Sequence, residues 1–264
     1  MPSVARRSHI IGFALLLGAA IGLAQAAAPA PAAAPAMTVT RVYIVEVPPA
    51  EDHAFNEGVK AWDKCLRDHG FKRASYVYDS ETGDVTRYLF LNVYTSWAAM
   101  DAHDPAGKPC LDIFTTSVLP HASKAFSEVS VLNAKGTYMP GGDPIPWPMM
   151  WVDAYRIKPG HGPAFNDSLA QFAAAAAKTH WEGHFSAYDI EGAGRGGADF
   201  VLVWPNRNWA DIGTDPSPSV KEMMDNVYGA AAAESGHKKF TDAIAEHWSD
   251  AWSFDKDLSL IPGK

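Results

Sequence analysis

The mature chain is predicted to be an α+β protein in which one β-α-β-β-α-β unit is used twice, and three observations predict it. A series of residues recurs in order at an offset of 110. Each copy runs through the same succession of strand-like and helix-like periodicities. A stretch rich in proline and glycine separates the copies, where a linker belongs.

The recurrence begins with Ala54-Phe55-Asn56-Glu57, which returns as Ala164-Phe165-Asn166-Asp167. At the same offset Val47 falls on Ile157, Pro49 on Pro159, Phe71 on Trp181, and Tyr78-Asp79 on Tyr188-Asp189. Small loop insertions then shift the register, so Trp97 matches Trp209, and Phe126-Ser127-Glu128 matches Trp248-Ser249-Asp250. An ordered series of this kind marks a duplication.

The first copy is placed at 39–133 and the second at 149–258, with 134–148 as linker and 259–264 as a C-terminal tail. Arg41 to Val47 and Trp151 to Ile157 read as opening strands. Phe55, Val59, Trp62 and Leu66 then recur at helical spacing, matched by Phe165, Leu169, Phe172 and Ala176, so each helix buries one stripe. Gly70 closes the first helix as a C′ glycine, and Pro163 sits in the first turn of the second, where proline is tolerated. Two strands follow in each copy, Phe71 to Asp79 with Tyr88 to Tyr94, and Trp181 to Ile190 with Phe200 to Trp204. Ser80 to Gly83 and Gly192 to Gly197 supply the turns. A helical region and a last strand, near Glu128 to Leu132 and Asp250 to Phe254, close each unit. This order is the ferredoxin-like split βαβ.

Ahead of the repeat, Arg6 and Arg7 precede an uncharged apolar run from Ile10 to Leu23 and the small-x-small triplet Ala24-Gln25-Ala26. That is the form of a cleaved signal peptide, 1–26, and its 14-residue core is short of the roughly 20 residues a membrane span needs. His9 and Ile10 stand where a twin-arginine signal carries other residues, and no Cys lies near the cleavage point to take a lipid. An Ala/Pro-rich segment, 27–38, is too poor in large side chains to pack and is expected to be disordered. The mature protein is therefore expected in the periplasm or outside the cell.

The full chain has 22 basic and 30 acidic residues, and removing the two leader arginines leaves a net charge of −10. No basic stripe offers itself to phosphates, so nucleic acid is excluded as a partner, and an anionic membrane is disfavoured once the signal is gone. Cys65 and Cys110 are the two cysteines. An even pair in an oxidising compartment is expected to be joined. The ferredoxin-like order, which brings the end of the first helix beside the start of the second, supports that pairing. Ala175 stands at the position equivalent to Cys65, so the bridge is absent from the second copy.

The repeated unit, with a proline at the end of its first strand, an Ala-Phe helix start and a Trp after the third strand, resembles the dimeric α/β-barrel superfamily. That group includes antibiotic-biosynthesis-monooxygenase-like and NIPSNAP-like proteins, and the resemblance spans nearly all of 39–258. It implies two sheets packed to enclose a barrel within one chain, where other members use two subunits. Haem-using members carry an Asn, Trp and His constellation or a haem-ligating His; neither set maps onto this chain, and no cofactor is expected.

The remaining motifs are weighed against their settings. Gly192 to Gly197 matches G-x-G-x-x-G, but a strand follows it instead of a helix, so it reads as a hairpin loop. His180-Trp181-Glu182-Gly183-His184 lacks the spacing and continuous helix of a zinc protease site. Asp101, His103 and Asp104 ahead of Pro105 read as a turn in preference to a cation site, and no metal is expected. No nucleophile elbow, Walker loop or C-x-x-C appears.

What does point to a site is asymmetry between the copies. The first holds Trp62 and Trp97, the second Trp151, Trp181, Trp204, Trp209, Trp248 and Trp252. Trp204 and Trp252 replace Asn92 and Ser130. A barrel interior lined by Trp204, Trp252 and Tyr188, with His184 and Asp153 as polar contacts, would suit a small apolar or aromatic ligand. Asp153 and His184 are also the candidate catalytic groups. Glu46 and Arg156 occupy equivalent positions with opposite charge and either pair across the interior or face solvent. The expected function is binding of a small apolar or aromatic molecule; the alternatives are a cofactor-free oxygenase or isomerase, as the resemblance implies, and an interaction module without a small ligand.

Overall fold

The computed structural model describes residues 38–262 apart from 103, 143 and 144. The expected signal peptide and most of the Ala/Pro-rich segment lie outside the described residues, as does His103 of the turn cluster.

The first copy comprises β1 (Val39–Glu46), α1 (Asp52–Asp68), β2 (Ser75–Ser80), β3 (Arg87–Tyr94), short helices α2 (Trp97–Asp101) and α3 (Leu111–Ser117), and β4 (Lys124–Leu132). The second comprises β5 (Met149–Ile157), α4 (Gly162–Thr179), β6 (Ser186–Gly192), β7 (Phe200–Asn206), α5 (Trp209–Ile212), α6 (Val220–Tyr228), α7 (Ala230–Ala243) and β8 (Ile244–Leu260). Within each copy the strands order as β4-β1-β3-β2 and β8-β5-β7-β6, and the free edges then pair, β2 with β8 and β4 with β6. The result is one closed eight-stranded barrel, antiparallel throughout. Closure leaves no strand edge open to a second chain.

The ladders establish the residue equivalences. Tyr43 faces Phe90 as Asp153 faces Leu202, and Val42 faces Glu128 as Val152 faces Asp250. Glu46 and Arg156 do not meet across the interior. Each pairs with the last strand of its own copy, Glu46 with Lys124 at 2.8 Å and Arg156 with Glu246 at 2.5 Å, the same cross-strand bridge with its charges exchanged.

Alternation along each strand divides the apolar residues between the barrel interior and the helices outside it. Outside the first copy, Phe55 packs under Tyr88 with ring centres 5.1 Å apart. In the second, Phe165 lies 4.8 Å from both Phe200 and Phe240. Burying each such ring contributes about 2–3 kcal/mol. At Gly58 a Cβ would come within 1.8 Å of the Ser117 carbonyl oxygen, so glycine is what lets α1 and α3 meet backbone to backbone. Cys65 and Cys110 form a disulfide joining the end of α1 to the turn before α3, as the helix arrangement predicts.

Two strands start later than their periodicity suggests. The chain leaves α1 through Gly70 at φ +75°, with Phe71 N–H returning to Leu66 C=O at 2.9 Å, and Phe71 packs beside Leu66 and the disulfide instead of entering β2. In the second copy His180 adopts φ +50° and Trp181 N–H returns to Ala176 C=O, so Trp181 packs on the helix side and β6 begins at Ser186. β8 is longer than expected because it pairs along β5 and then continues along β2 as far as Leu260.

Candidate functional site

The barrel encloses a cavity of about 330 Å³. Its wall alternates with the outward residues already described: Val42 and Ile44 from β1, Leu89 and Leu91 from β3, and Val201 and Val203 from β7. Met150, Trp252 and Tyr188 lie towards one end, where Ile145 and Trp147 of the connecting segment join the wall. Trp147 is 4 % exposed, and its backbone N–H donates to Tyr78 Oη at 3.1 Å. Gly196, Gly197 and Trp248 border the other end.

Two carboxylates occupy the middle layer, and the repeat makes them equivalents. Asp250, facing Val152, accepts from Arg87 Nη2 at 3.0 Å, while the Arg87 guanidinium lies 5.3 Å from the centre of the Trp252 ring. Glu128, facing Val42, has no such cation, because the counterpart of Arg87 in β7's approach is Asp199, which accepts from Ile157 N–H instead. No hydrogen-bond or ion-pair partner of the Glu128 carboxylate is found among the described residues. Burial in this apolar wall pushes its pKa above the ordinary glutamate range. The barrel interior thus holds one carboxylate paired with a guanidinium and one without a cation partner among the described residues.

The five residues singled out from sequence do not share this cavity. Tyr188 and Trp252 line it. Asp153 and Trp204 point the other way, because Val152 and Ala154, Val201 and Val203 are the inward residues of β5 and β7. His184 precedes β6 and is exposed, so the period-two relation to Tyr188 does not reach it. Asp153, Trp204 and His184 instead border an external groove of about 990 Å³. There the Asp153 carboxylate accepts from Trp151 Nε1 at 3.1 Å, Trp204 Nε1 at 2.8 Å and Ser249 Oγ at 2.6 Å, with His247 Nε2 at 3.2 Å.

Sequence reasoning missed Glu128, Arg87 and Trp147. The alignment of Phe126-Ser127-Glu128 with Trp248-Ser249-Asp250 already paired the two interior carboxylates, and that was the signal available. Asp104, from the turn cluster, accepts from Ala106 N–H at 3.0 Å and Lys72 N–H at 3.1 Å, the work of a cap and not of a cation ligand.

No protein-family model matches the sequence, and no curated protein matches it either. Solved structures do. An anthrone oxidase-like protein aligns with a TM-score of 0.53 at 13 % identity, over 86 % of this chain and 94 % of that one. A monooxygenase-like protein of Fusobacterium nucleatum aligns at 0.50 and 12 % identity, over 84 % and 94 %. A chlorite dismutase of Candidatus Nitrospira defluvii aligns at 0.49 and 10 % identity, over 83 % and 92 %. Identities this low speak to fold alone. With its closed barrel and its two β-α-β-β-α-β copies, the chain has the dimeric α/β-barrel fold, built as two ferredoxin-like repeats in a single polypeptide.

Proposed function

We propose that this protein is exported and binds a small apolar or aromatic molecule in the barrel interior. The observation that carries the reading is the cavity of about 330 Å³, walled by aliphatic and aromatic side chains and holding few polar groups. Export is supported by the leader-like N-terminus and by the disulfide. The acidic balance argues against nucleic acid as a partner.

Glu128 favours a second reading, a cofactor-free oxygenase or isomerase acting on the same molecule. A desolvated carboxylate without a cation is suited to take a proton from an acidic C–H or O–H of a ligand beside it. The anthrone oxidase-like and monooxygenase-like neighbours are in keeping with that chemistry, although they lend no residue to it.

Native mass spectrometry of the purified protein tests the first reading, which expects a retained small molecule. Val203→Trp, or Ala154→Leu at the other end of the cavity, is expected to weaken binding of that molecule on the order of a hundredfold. Unchanged affinity in both folded variants would place the ligand elsewhere, and no retained molecule would favour an interaction module. Glu128→Gln separates binder from enzyme. An enzyme keeps its affinity and loses turnover, together with the limb of the pH–rate profile that rises with pH above the usual glutamate range. A binder loses neither.

A further inference from the structure

The external groove has a counterpart in the first copy, and the comparison shows what the groove lacks. In the first copy the aromatic side chains outside the sheet are covered by the chain's own guanidinium groups. Arg73 lies over Tyr94 at 4.6 Å and over Phe71 at 5.8 Å, donating to Tyr94 Oη at 3.0 Å and to Ala102 C=O at 3.1 Å. Arg41 lies over Tyr43 at 5.0 Å.

The second copy carries neither cation. The β1 and β5 ladders place Trp151 where Arg41 stands, and Trp204 where Asn92 stands. At the offset of 110 that relates these strands, Phe71 becomes Trp181 and Arg73 becomes Gly183. No side chain could be restored at that glycine, because a Cβ there would lie 2.3 Å from the Trp181 ring. The two tyrosines beneath the arginines are replaced as well, Tyr43 by Asp153 and Tyr94 by Asn206, so the rings of this face are Trp151 and Trp204 at new positions, with no arginine over them among the described residues.

Charge points the same way. The groove is bordered by Asp153, Glu182, Asp211 and Asp215, against Arg207, which is committed to Asp211 at 2.6 Å. The rings on offer, Trp151 and Trp204, are half-buried and fixed in place, since both indole N–H groups donate to Asp153. Donation to a carboxylate enriches the indole in electron density, which strengthens the attraction of its face for a cation. Trp is also the best of the three aromatic side chains for that contact.

From this juxtaposition we infer that the external groove of the second copy is a binding site for an organic cation, a guanidinium compound of small-molecule size that lies over Trp151 and Trp204 as the first copy's arginines lie over that copy's own rings. The groove, at about 990 Å³, exceeds a guanidinium group alone, so the compound extends beyond its charged end. This site lies on the outer face of the sheet, and of its lining residues Trp147 alone also walls the barrel cavity.

The test is titration of the full protein with N-butylguanidinium and with its neutral isostere N-butylurea, followed by tryptophan fluorescence and calorimetry. The cation is expected to bind at least roughly tenfold more tightly than the urea, and salt is expected to weaken it. Trp204→Leu is expected to cost roughly tenfold. Trp151→Arg, which restores the arginine of the first copy, is expected to abolish binding, because it removes one of the two rings and adds a competing cation to the groove. Equal binding of cation and urea, or no binding of either, overturns the proposal. So does cation affinity that survives both folded variants. A blocked Gly-Arg-Gly peptide separates the sources: binding tenfold tighter than N-butylguanidinium would overturn the small-molecule assignment in favour of an arginine side chain on a partner.

Discussion

Replacing Cys65 and Cys110 together by serine is expected to lower the free energy of unfolding by about 4 kcal/mol. The two residues are separated by 45 positions, and the chain-entropy account attributes the effect to the unfolded state, whose loop is no longer closed. In the native state the bridge ties α1 to the segment entering α3, and both sulfurs pack with Leu66 and Leu260. That packing survives substitution in part, so the native far-UV spectrum should be unchanged while the denaturation midpoint falls. Equilibrium unfolding in urea, with and without reductant, measures it. The second copy has no bridge and serves as the internal control: hydrogen exchange should accelerate in α1 and α3 before it does in α4 and α7. A loss below about 1 kcal/mol would show that the unfolded chain is already compact around these residues.

The fold was readable because the sequence states it twice. Phe55 and Phe165, each at the first turn of its helix and each fully buried, are anchors that neither copy could lose. The interior was harder to read, for a physical reason. Strands of a closed barrel covered by helices are buried on both faces, so Val42 and Ile44 inside are no more apolar than Tyr43 and Val45 outside. Period-two alternation then carries no phase. Trp204 and Asp153 were therefore placed inward by their chemistry alone, when the ladder puts them outward with Trp151. Glu128 escaped notice for the complementary reason: a lone carboxylate in Lys124–Leu132 looks like a solvent-facing residue until the opposite strand shows Val42 across from it. Trp147 belongs to a segment whose prolines and glycines mark it as a linker, and nothing local indicates that a linker can also wall a cavity.

A second large effect concerns a charge the fold tolerates at a cost. Asp63 lies on the buried stripe of α1, is 3 % exposed, and its Oδ2 has no hydrogen-bond partner. Burial pushes its pKa from the ordinary 3.8 up to about 7, with Arg67 offsetting part of the rise. Because the folded state holds the proton more tightly than the unfolded state, the sign is fixed. Below about pH 4 the group is protonated in both states and contributes no pH dependence. Between about 4 and 7 the unfolded chain releases the proton and the folded chain keeps it, so stability falls as pH rises; above 7 the loss is complete and amounts to as much as ~4 kcal/mol. Asp79 shifts in the same direction, through burial and then the neighbouring Asp255, Glu81 and Asp52 carboxylates, so the wild-type curve alone cannot isolate Asp63. The difference between wild type and Asp63→Asn can. It should be near zero at pH 4, grow across the interval, and favour the variant by several kcal/mol at pH 8. A difference that stays flat from pH 4 to 8 would mean that Asp63 ionises in the folded protein as readily as in the unfolded chain.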